Sequence, residues 1–151
     1  MYSVGIWSRE ETVGDLIAVR APGVTLLRGR HPAELAGRQL DLLVAGPDAA
    51  GWAGAGAVDC RTVLLHGAAG SLARSLRPCC AVSYGTSPRD TLTLSSLEGN
   101  HICLALQREL VTLAGEVVEQ QELVLPFPAD ASPLPFLAAA GALLLLGLPL
   151  S

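Results

Sequence analysis

Short apolar runs alternate with polar and amphipathic segments through the first half of the chain. Runs typical of buried strands occur at residues 2–7, 24–29, 41–46, 61–67 and 79–85. After the first run, Ser8 and Glu11 have the spacing of a capping box, and apolar residues follow at helical spacing over 13–17. Short helices are expected after His31-Pro32 and over residues 71–77, and a loop over 47–57. This order predicts parallel strands joined by right-handed crossovers.

The pattern changes after Gly85. Threonine and serine alternate with leucine over residues 91–97, so Thr91 and Thr93 are expected on a solvent-facing side of a sheet. Further strands are expected at residues 101–110 and 117–127, with a turn at Gly99-Asn100 before the first and one at Ala114-Gly115-Glu116 before the second. These strands predict an antiparallel meander.

Residues 134–150 form an apolar stretch of 17 residues without a charged side chain. A membrane span needs about 20 apolar residues. Proline and glycine also interrupt the stretch at Pro135, Gly141, Gly147 and Pro149. We therefore favour a buried helix over a membrane tail, and regard membrane attachment as the alternative. An exposed apolar stretch of this length would also favour self-association.

Together these elements predict a single α/β domain over residues 1–151, a length that suits one domain. A mainly parallel, Rossmann-like sheet with helices is expected over about residues 1–85. An antiparallel β-meander and a C-terminal apolar helix are expected over about residues 86–151. No linker or internal repeat indicates a second domain.

The charged residues restrict the classes of function. All ten basic residues are arginines, because the chain contains no lysine. A P-loop lysine, a Schiff base and a lysine general base are therefore excluded within this chain. The net charge is −4, no basic run occurs, and aromatic residues make up only 4% of the chain. This composition argues against a nucleic-acid partner.

The thiol and imidazole groups do not have the spacing of a metal site. Cysteines occur at Cys60, Cys79, Cys80 and Cys103, without a Cys-x-x-Cys pair. The three histidines do not supply a metal-binding pair either. We expect buried, reduced cysteines in a cytoplasmic protein, without a metal or other cofactor. Residues 1–11 lack the pattern of a signal peptide.

Two polar turns are candidates for binding a small anionic ligand. They contribute Gly67, Gly70 and Ser71 from the first turn, and Ser87, Arg89 and Asp90 from the second. The first turn stands between a strand and a helix, where backbone N–H groups can hold an anion, although small residues there also suit a tight turn. The second follows a parallel strand, where Arg89 could clamp a carboxylate, or could simply pair with Asp90 on the surface. No residue is assigned a catalytic role.

One predicted strand ends in Ser83-Tyr84-Gly85 and is followed by a bend and antiparallel strands. The apolar stretch PFLAAAGALLLLGLPL at 135–150 comes after them. This order of features resembles the later part of the central domain of Mur ligases. These enzymes join amino acids to peptidoglycan precursors using ATP. The resemblance covers roughly residues 60–150. It implies a parallel sheet continuing into a small antiparallel sheet, closed by a helix.

The chain departs from that family where the family performs its chemistry. No GxxxxGK[ST] motif occurs, the lysine that the ligases carbamylate for metal binding is absent, and Ala131-Ser132-Pro133 stands where the closing helix should begin with His-Asn. The resemblance therefore implies a relative without ATP chemistry. We expect a non-catalytic protein that binds a protein partner, itself or a small anionic ligand. The alternative is a small enzyme or nucleotide-binding protein with its site at the carboxyl edge of the parallel sheet.

Overall fold

The computed structural model describes residues 2–49, 58–72, 80–128 and 130–150, with only the backbone at residues 70–72. Residues 50–57 of the expected loop and residues 73–77 of the expected second short helix lie outside the described residues.

The described residues form ten strands and two α-helices. The strands are β1 (Ser3–Trp7), β2 (Thr25–Gly29), β3 (Gln39–Ala45), β4 (Asp59–His66), β5 (Cys80–Gly85), β6 (Leu92–Glu98), β7 (His101–Leu106), β8 (Leu110–Val111), β9 (Val117–Val118) and β10 (Gln121–Pro126). The α-helices are α1 (Thr12–Arg20) and α2 (Pro133–Leu146). Two 3₁₀ segments cover Pro32–Leu35 and Gly67–Leu72. The short helix expected after His31 is therefore a single 3₁₀ turn, in which the His31 ring accepts a hydrogen bond from the Ala33 N–H.

Eight strands form one sheet in the order β10-β7-β6-β5-β4-β3-β1-β2. Strands β1 to β5 are parallel, as predicted, and β6 also starts parallel to β5, where Tyr84 pairs with Leu92. Strands β6, β7 and β10 then form the antiparallel meander. The first strand of the meander, β6, thus pairs only with the carboxyl end of β5 and continues past it. The α/β class and the mostly parallel sheet are confirmed.

Successive side chains of a strand point to opposite faces of the sheet, and apolar side chains on both faces form two hydrophobic cores. On one face, Val4 and Ile6 of β1 and Leu42 and Val44 of β3 pack with both α-helices. On the other face, a second cluster contains Trp7 of β1 together with neighbouring residues of β3 and β4 and the 3₁₀ turn that follows β2. Strands β1, β3 and β4 are therefore buried on both faces.

Helix α2 is buried in the protein's own core. Leu137, Ala138, Ala142 and Leu145 have no exposed surface. The helix lies beside α1 and crosses strands β3 to β6. Gly141 allows the close approach, because a Cβ there would lie 2.9 Å from a methyl carbon of Leu64. The expected apolar helix is therefore present over 133–146, and it does not offer the exposed apolar surface on which self-association was considered.

Helix α2 ends at a glycine in the left-handed conformation. Gly147 has φ 74°, and its N–H reaches the carbonyl of Leu144, while the Leu148 N–H bonds the carbonyl of Leu143. This is the Schellman type of C-terminal cap. Among the described residues, no helix has the length and apolarity needed to cross a membrane.

Two predicted strands are shorter in the structure because side chains and turns divide them. The run at 101–110 is broken at Gln107, whose N–H bonds the Thr91 carbonyl and whose side-chain amide donates to carbonyls of the 87–90 turn. The run at 117–127 is divided at residues 119–120, so β9 pairs with β8 in a separate two-stranded sheet. Polar side chains that bind backbone compete with a continuous strand ladder.

A network of polar contacts connects the β8–β9 hairpin to the amino ends of the parallel strands, which we call the amino edge of the sheet. Asp41 accepts a hydrogen bond from the Ser3 N–H at 2.8 Å and lies 3.6 Å from the Arg61 guanidinium. Arg61 donates to the Leu113 carbonyl at 2.8 Å, and the Leu113 N–H bonds the Leu145 carbonyl near the end of α2. The network joins β1, β3, β4, the hairpin and α2.

Three further expectations were wrong in detail. Thr91 and Thr93 are 7% and 8% exposed, so the start of β6 has no solvent-facing side. Cys80 is exposed and Cys103 is half-buried, so among the cysteines with described side chains only Cys60 is buried. Ser8 is not the cap of α1, because the helix begins later, after Glu11. Its hydroxyl donates to Asp48 and accepts a 3.3 Å hydrogen bond from the Glu10 N–H, ahead of the helix.

Candidate functional site

The chain direction of the strands creates a crevice between β1 and β3. The connection after β1 leads through α1 to β2 on one side, while the connection after β3 leads to β4 on the other side. Neighbouring parallel strands whose connections diverge leave an opening beyond their carboxyl ends, and ligands of open α/β sheets bind there. In this protein the opening lies between Ser8, after β1, and the segment Gly46–Asp48, after β3.

Asp48 ties the two walls of this crevice together at its base. Its carboxylate accepts hydrogen bonds from the Ser8 hydroxyl and from the Arg9 N–H, each at 2.8 Å. Gly46 makes room for the contact, because a Cβ there would lie 2.8 Å from the Ser8 Oγ. The loop after β1 is therefore held by a charge-assisted bond as well as by the sheet.

A cavity of about 260 Å³ lies next to the contact between Ser8 and Asp48. Its walls come from the loop after β1 and the first turn of α1, from the loop after β3, and from the start of α2. Leu134 and Pro135 make one wall apolar, while Glu10 and Asp48 place negative charge on the opposite side. We refer to this space as the β1–β3 cavity.

A second cavity, of about 230 Å³, lies on the other side of the same loop. It is bordered by the carboxyl ends of β1 and β2, and Ser8 and Glu10 line it as well as the β1–β3 cavity. Arg9, Arg28 and Arg30 also line it. We refer to it as the Arg28 cavity. The loop from Ser8 to Glu10 is thus the common wall of both cavities.

Tyr84 links the carboxyl end of β5 to the carboxyl end of β3. Its side chain is fully buried, and its hydroxyl donates a 2.6 Å hydrogen bond to the Ala45 carbonyl at the end of β3. Burial, and secondarily the negative charge of Asp48, raises the pKa of Tyr84 well above its ordinary value. The hydroxyl is therefore held as a neutral donor. His66 packs against this ring at a centroid distance of 5.7 Å.

The two predicted ligand-binding turns meet at the carboxyl ends of β4 and β5. Asp90 is 4% exposed, and its carboxylate accepts a hydrogen bond from the Ser87 N–H at 3.0 Å. The same carboxylate lies against Gly67 and Gly85, where any Cβ would overlap it. Asp90 thus occupies the space beside Gly67 and links the two turns.

The other predicted site residues are placed less centrally. Gly70 and Ser71 lie in the 3₁₀ segment that follows β4, described only in its backbone. Arg89 is exposed, its N–H bonds the Ser87 hydroxyl, and its carbonyl accepts a 2.6 Å hydrogen bond from Arg108. Their assignment to a ligand remains a prediction from the sequence.

Replacing Gly67 by alanine should destabilise the protein by about 1–3 kcal/mol, the usual cost of forcing extra atoms into a packed site. The reason is the overlap between the new methyl group and the Asp90 carboxylate. Gly23→Ala is the matched control, because nothing lies within 4 Å of the Cβ position there. Urea unfolding compares the two variants, and equal midpoints would contradict this role of Asp90.

No family model, curated protein or solved structure matches the chain. The assignment of a function therefore depends on the sequence and on the geometry of the carboxyl edge. Within the described ranges, no three histidine, cysteine, aspartate or glutamate side chains converge as metal ligands.

The sequence pattern places its candidate turns at the carboxyl edge of the sheet, where the crevice also lies, but it does not single out the residues of the crevice. It predicts Ser8 as a helix cap and Asp48 only as part of a loop. A usable signal exists, since Ser8 directly follows the first apolar strand run and Asp48 follows the third run after Pro47. The strand order was required to show that β1 and β3 are neighbours, because the chain passes through β2 between them.

Proposed function

We propose that the protein acts by binding rather than by catalysis, and that its ligand site is the carboxyl edge of the parallel sheet, around the loop from Ser8 to Glu10. The site would hold a small molecule in one or both of the cavities that share this loop. The location is the one that open α/β sheets use for ligands. The cavity volumes lie just below the roughly 300–1,000 Å³ of sites for drug-sized molecules, which favours a small ligand.

The observation that supports a binding function is that polar side chains along this edge form hydrogen bonds within the protein itself. Asp48 holds the loop after β1, Asp90 holds the turn after β5, and the Tyr84 hydroxyl is bonded to β3. A catalytic acid, base or nucleophile needs its polar atom directed at a substrate. Here these atoms are engaged in holding loops, so the edge is arranged as a rigid binding surface.

The order of elements supports the proposed kinship with the central domain of Mur ligases. Strand β5 ends at Tyr84-Gly85, the meander of β6, β7 and β10 follows, and α2 closes the domain beside α1. With a Rossmann-like arrangement of β1 to β5, this is the order that the resemblance implies. We propose a cytoplasmic relative that has lost the ATP chemistry. A protein partner, or a second copy of the chain, remains part of this proposal.

The alternative is a nucleotide-binding protein or small enzyme at the same edge. At the β1–β3 cavity, charge separates the two candidates. Glu10 and Asp48 line the β1–β3 cavity, which contains no basic lining residue among those described. Carboxylates in that position oppose the binding of a triphosphate, because like charges brought together without a counterion repel.

A thermal-shift screen tests the proposal. The panel contains ATP and GTP with and without Mg²⁺, NAD, UDP-linked sugar peptides, and small neutral and monoanionic metabolites. A ligand at about 100 times its Kd stabilises the folded state by about 2.7 kcal/mol. We expect no shift with the nucleotides and a saturable shift with a small molecule. A Mg²⁺-dependent shift with ATP would support the alternative.

A matched pair of variants locates the effect. Glu10 is exposed and lines both cavities, so Glu10→Trp should block them and abolish the shift. Glu109→Trp makes the same change at an exposed position that lines neither cavity, and it should retain the shift. Loss of the shift in both variants, or in neither, would place the ligand elsewhere.

A further inference from the structure

We propose that the Arg28 cavity binds a small monocarboxylate whose other polar groups are hydrogen-bond donors, such as a hydroxy acid. This inference rests on the proposed function and names the ligand class for one of the two cavities. Arg28, Arg9 and Arg30 would hold the carboxylate, and Glu10 and Glu34 would accept hydrogen bonds from the donors.

Arg28 is partly restrained before any ligand arrives. Its Nη1 lies 2.8 Å from Asp15 Oδ1 and 3.3 Å from Glu11 Oε2. Its guanidinium also lies directly against the backbone of α1 at Gly14, where a Cβ would come within 2.8 Å of its central carbon. A side chain restrained in this way loses less conformational entropy when a ligand binds, so its hydrogen bonds contribute more of their strength to affinity.

The contacts of Arg28 leave donors for a ligand. Both ion pairs use Nη1. Within the described residues, no hydrogen bond or ion pair engages Nε or Nη2. Nε, like the central carbon, lies against the backbone of α1 at Gly14, where a Cβ would come within 2.8 Å of it. Nη2 is therefore the Arg28 nitrogen left to donate to a carboxylate, and Arg9 and Arg30 are the other charged donors at the cavity.

The surrounding charges determine which anion fits. Arg9 and Arg30 are exposed at the same cavity and form no salt bridge within the described part of the chain. Glu10, Glu11 and Glu34 line the cavity too, and Asp15 pairs with Arg28. Three arginines thus face four carboxylates. A single carboxylate can be bound by the arginines, whereas a phosphate or polyphosphate would bring two or more charges close to the acidic side chains.

The acidic side chains also favour donors on the rest of the ligand. A carboxylate only accepts hydrogen bonds, so Glu10 and Glu34 select for hydroxyl or ammonium groups. The volume of about 230 Å³ suits a molecule the size of a short sugar acid or an amino acid. Hydroxy acids and amino acids share this chemistry, and the experiment separates them.

Isothermal titration of the full chain with glycerate, L-serine, propionate and glycerol tests the proposal. Propionate lacks the donors of glycerate, and glycerol lacks its carboxylate. Each is used at up to about 10 mM, which detects binding of millimolar affinity. We expect glycerate or serine to bind at least about tenfold more tightly than propionate or glycerol, since charge-assisted and neutral hydrogen bonds are then formed together. The tighter of the two identifies the donors as hydroxyl or ammonium.

Two arginine variants supply the matched control. Arg30→Gln should weaken binding of the acid by about tenfold or more, because one charged donor at the cavity is lost. Arg38→Gln makes the same change at an exposed arginine just before β3, at the opposite edge of the sheet, and should leave binding unchanged. Equal effects of the two variants would overturn the proposal, as would failure of both glycerate and serine to bind.

The outcome also distinguishes this inference from the proposed function. If neither acid binds, but another small molecule of the screening panel gives a shift that Glu10→Trp abolishes, the ligand class is wrong and the carboxyl-edge site stands. If no small molecule gives such a shift, both proposals fail.

Discussion

The Ala138→Asp variant should fail to fold, or should lose more than about 4 kcal/mol of stability. Ala138 lies in the middle of α2 and has no exposed surface. An aspartate there would place a carboxylate among Leu137, Ala142 and the apolar residues of the sheet, without a partner for its charge. Burying an unpaired charge is among the most destabilising single changes in a protein. Circular dichroism and urea unfolding measure the effect.

The control for this change is Val19→Asp in α1. Val19 is 77% exposed, so an aspartate there should cost no more than about 1 kcal/mol, mainly because a negative charge in the last turn of α1 opposes the helix dipole. If Ala138→Asp folded with nearly the stability of the parent protein, α2 would not be part of the core. The apolar stretch would then be available for a membrane or a second copy of the chain.

The stability of the protein should fall steeply above pH 10, and Tyr84 should be the main cause. Burial raises the pKa of Tyr84 in the folded state, whereas the unfolded chain ionises near pH 10. Above pH 10 the unfolded state therefore binds fewer protons than the folded state, and the free energy of unfolding decreases as pH rises. For one group the slope approaches about 1.4 kcal/mol per pH unit once the tyrosine of the unfolded chain is ionised, which gives roughly 2 kcal/mol between pH 10 and pH 12.

Two phenylalanine variants isolate this contribution. Tyr84→Phe should cost about 0.5–1.5 kcal/mol at pH 7, because the hydrogen bond to the Ala45 carbonyl is lost, and should flatten the slope above pH 10. Tyr2→Phe is the control and should retain the slope. The chain has no lysine, so no amine side chain titrates in this window. Urea midpoints at pH 8, 10 and 11.5 give the three curves, and parallel curves would contradict a buried neutral tyrosine.

The sequence predicts the parallel strands, the meander and the closing helix because the information for each element is local, whereas the order of the strands in the sheet is not local and was not predicted. The strand runs, the Gly99-Asn100 hairpin and the apolar helix each follow from the spacing of a few neighbouring residues. The errors occur where a distant group decides the structure. Ser8 lies ahead of α1, which begins after Glu11, and its hydroxyl donates to Asp48, forty positions along the chain, a contact that its local spacing does not predict.

The candidate site was only partly predictable for the same reason. The turn around Asp90 was recognised from its position after a strand, but its contact with Gly67 required the pairing of β4 with β5. The restrained orientation of Arg28 depends on two acids of α1 and on the missing Cβ of Gly14. In the sequence these are ordinary surface residues, and only the packing of α1 against β2 brings them together.

Mapping of backbone amide shifts by ¹⁵N NMR tests the central claim most directly. The protein is titrated with the small molecules that stabilise it, and the amides that move are placed on the structure. The account predicts saturable shifts from Ser8 to Val13, together with Arg28 to Arg30 or Gly46 to Asp48, at the carboxyl ends of β1, β2 and β3. Shifts clustered instead around Asp41, Arg61 and Leu113, at the amino edge, would contradict a binding site at the carboxyl edge.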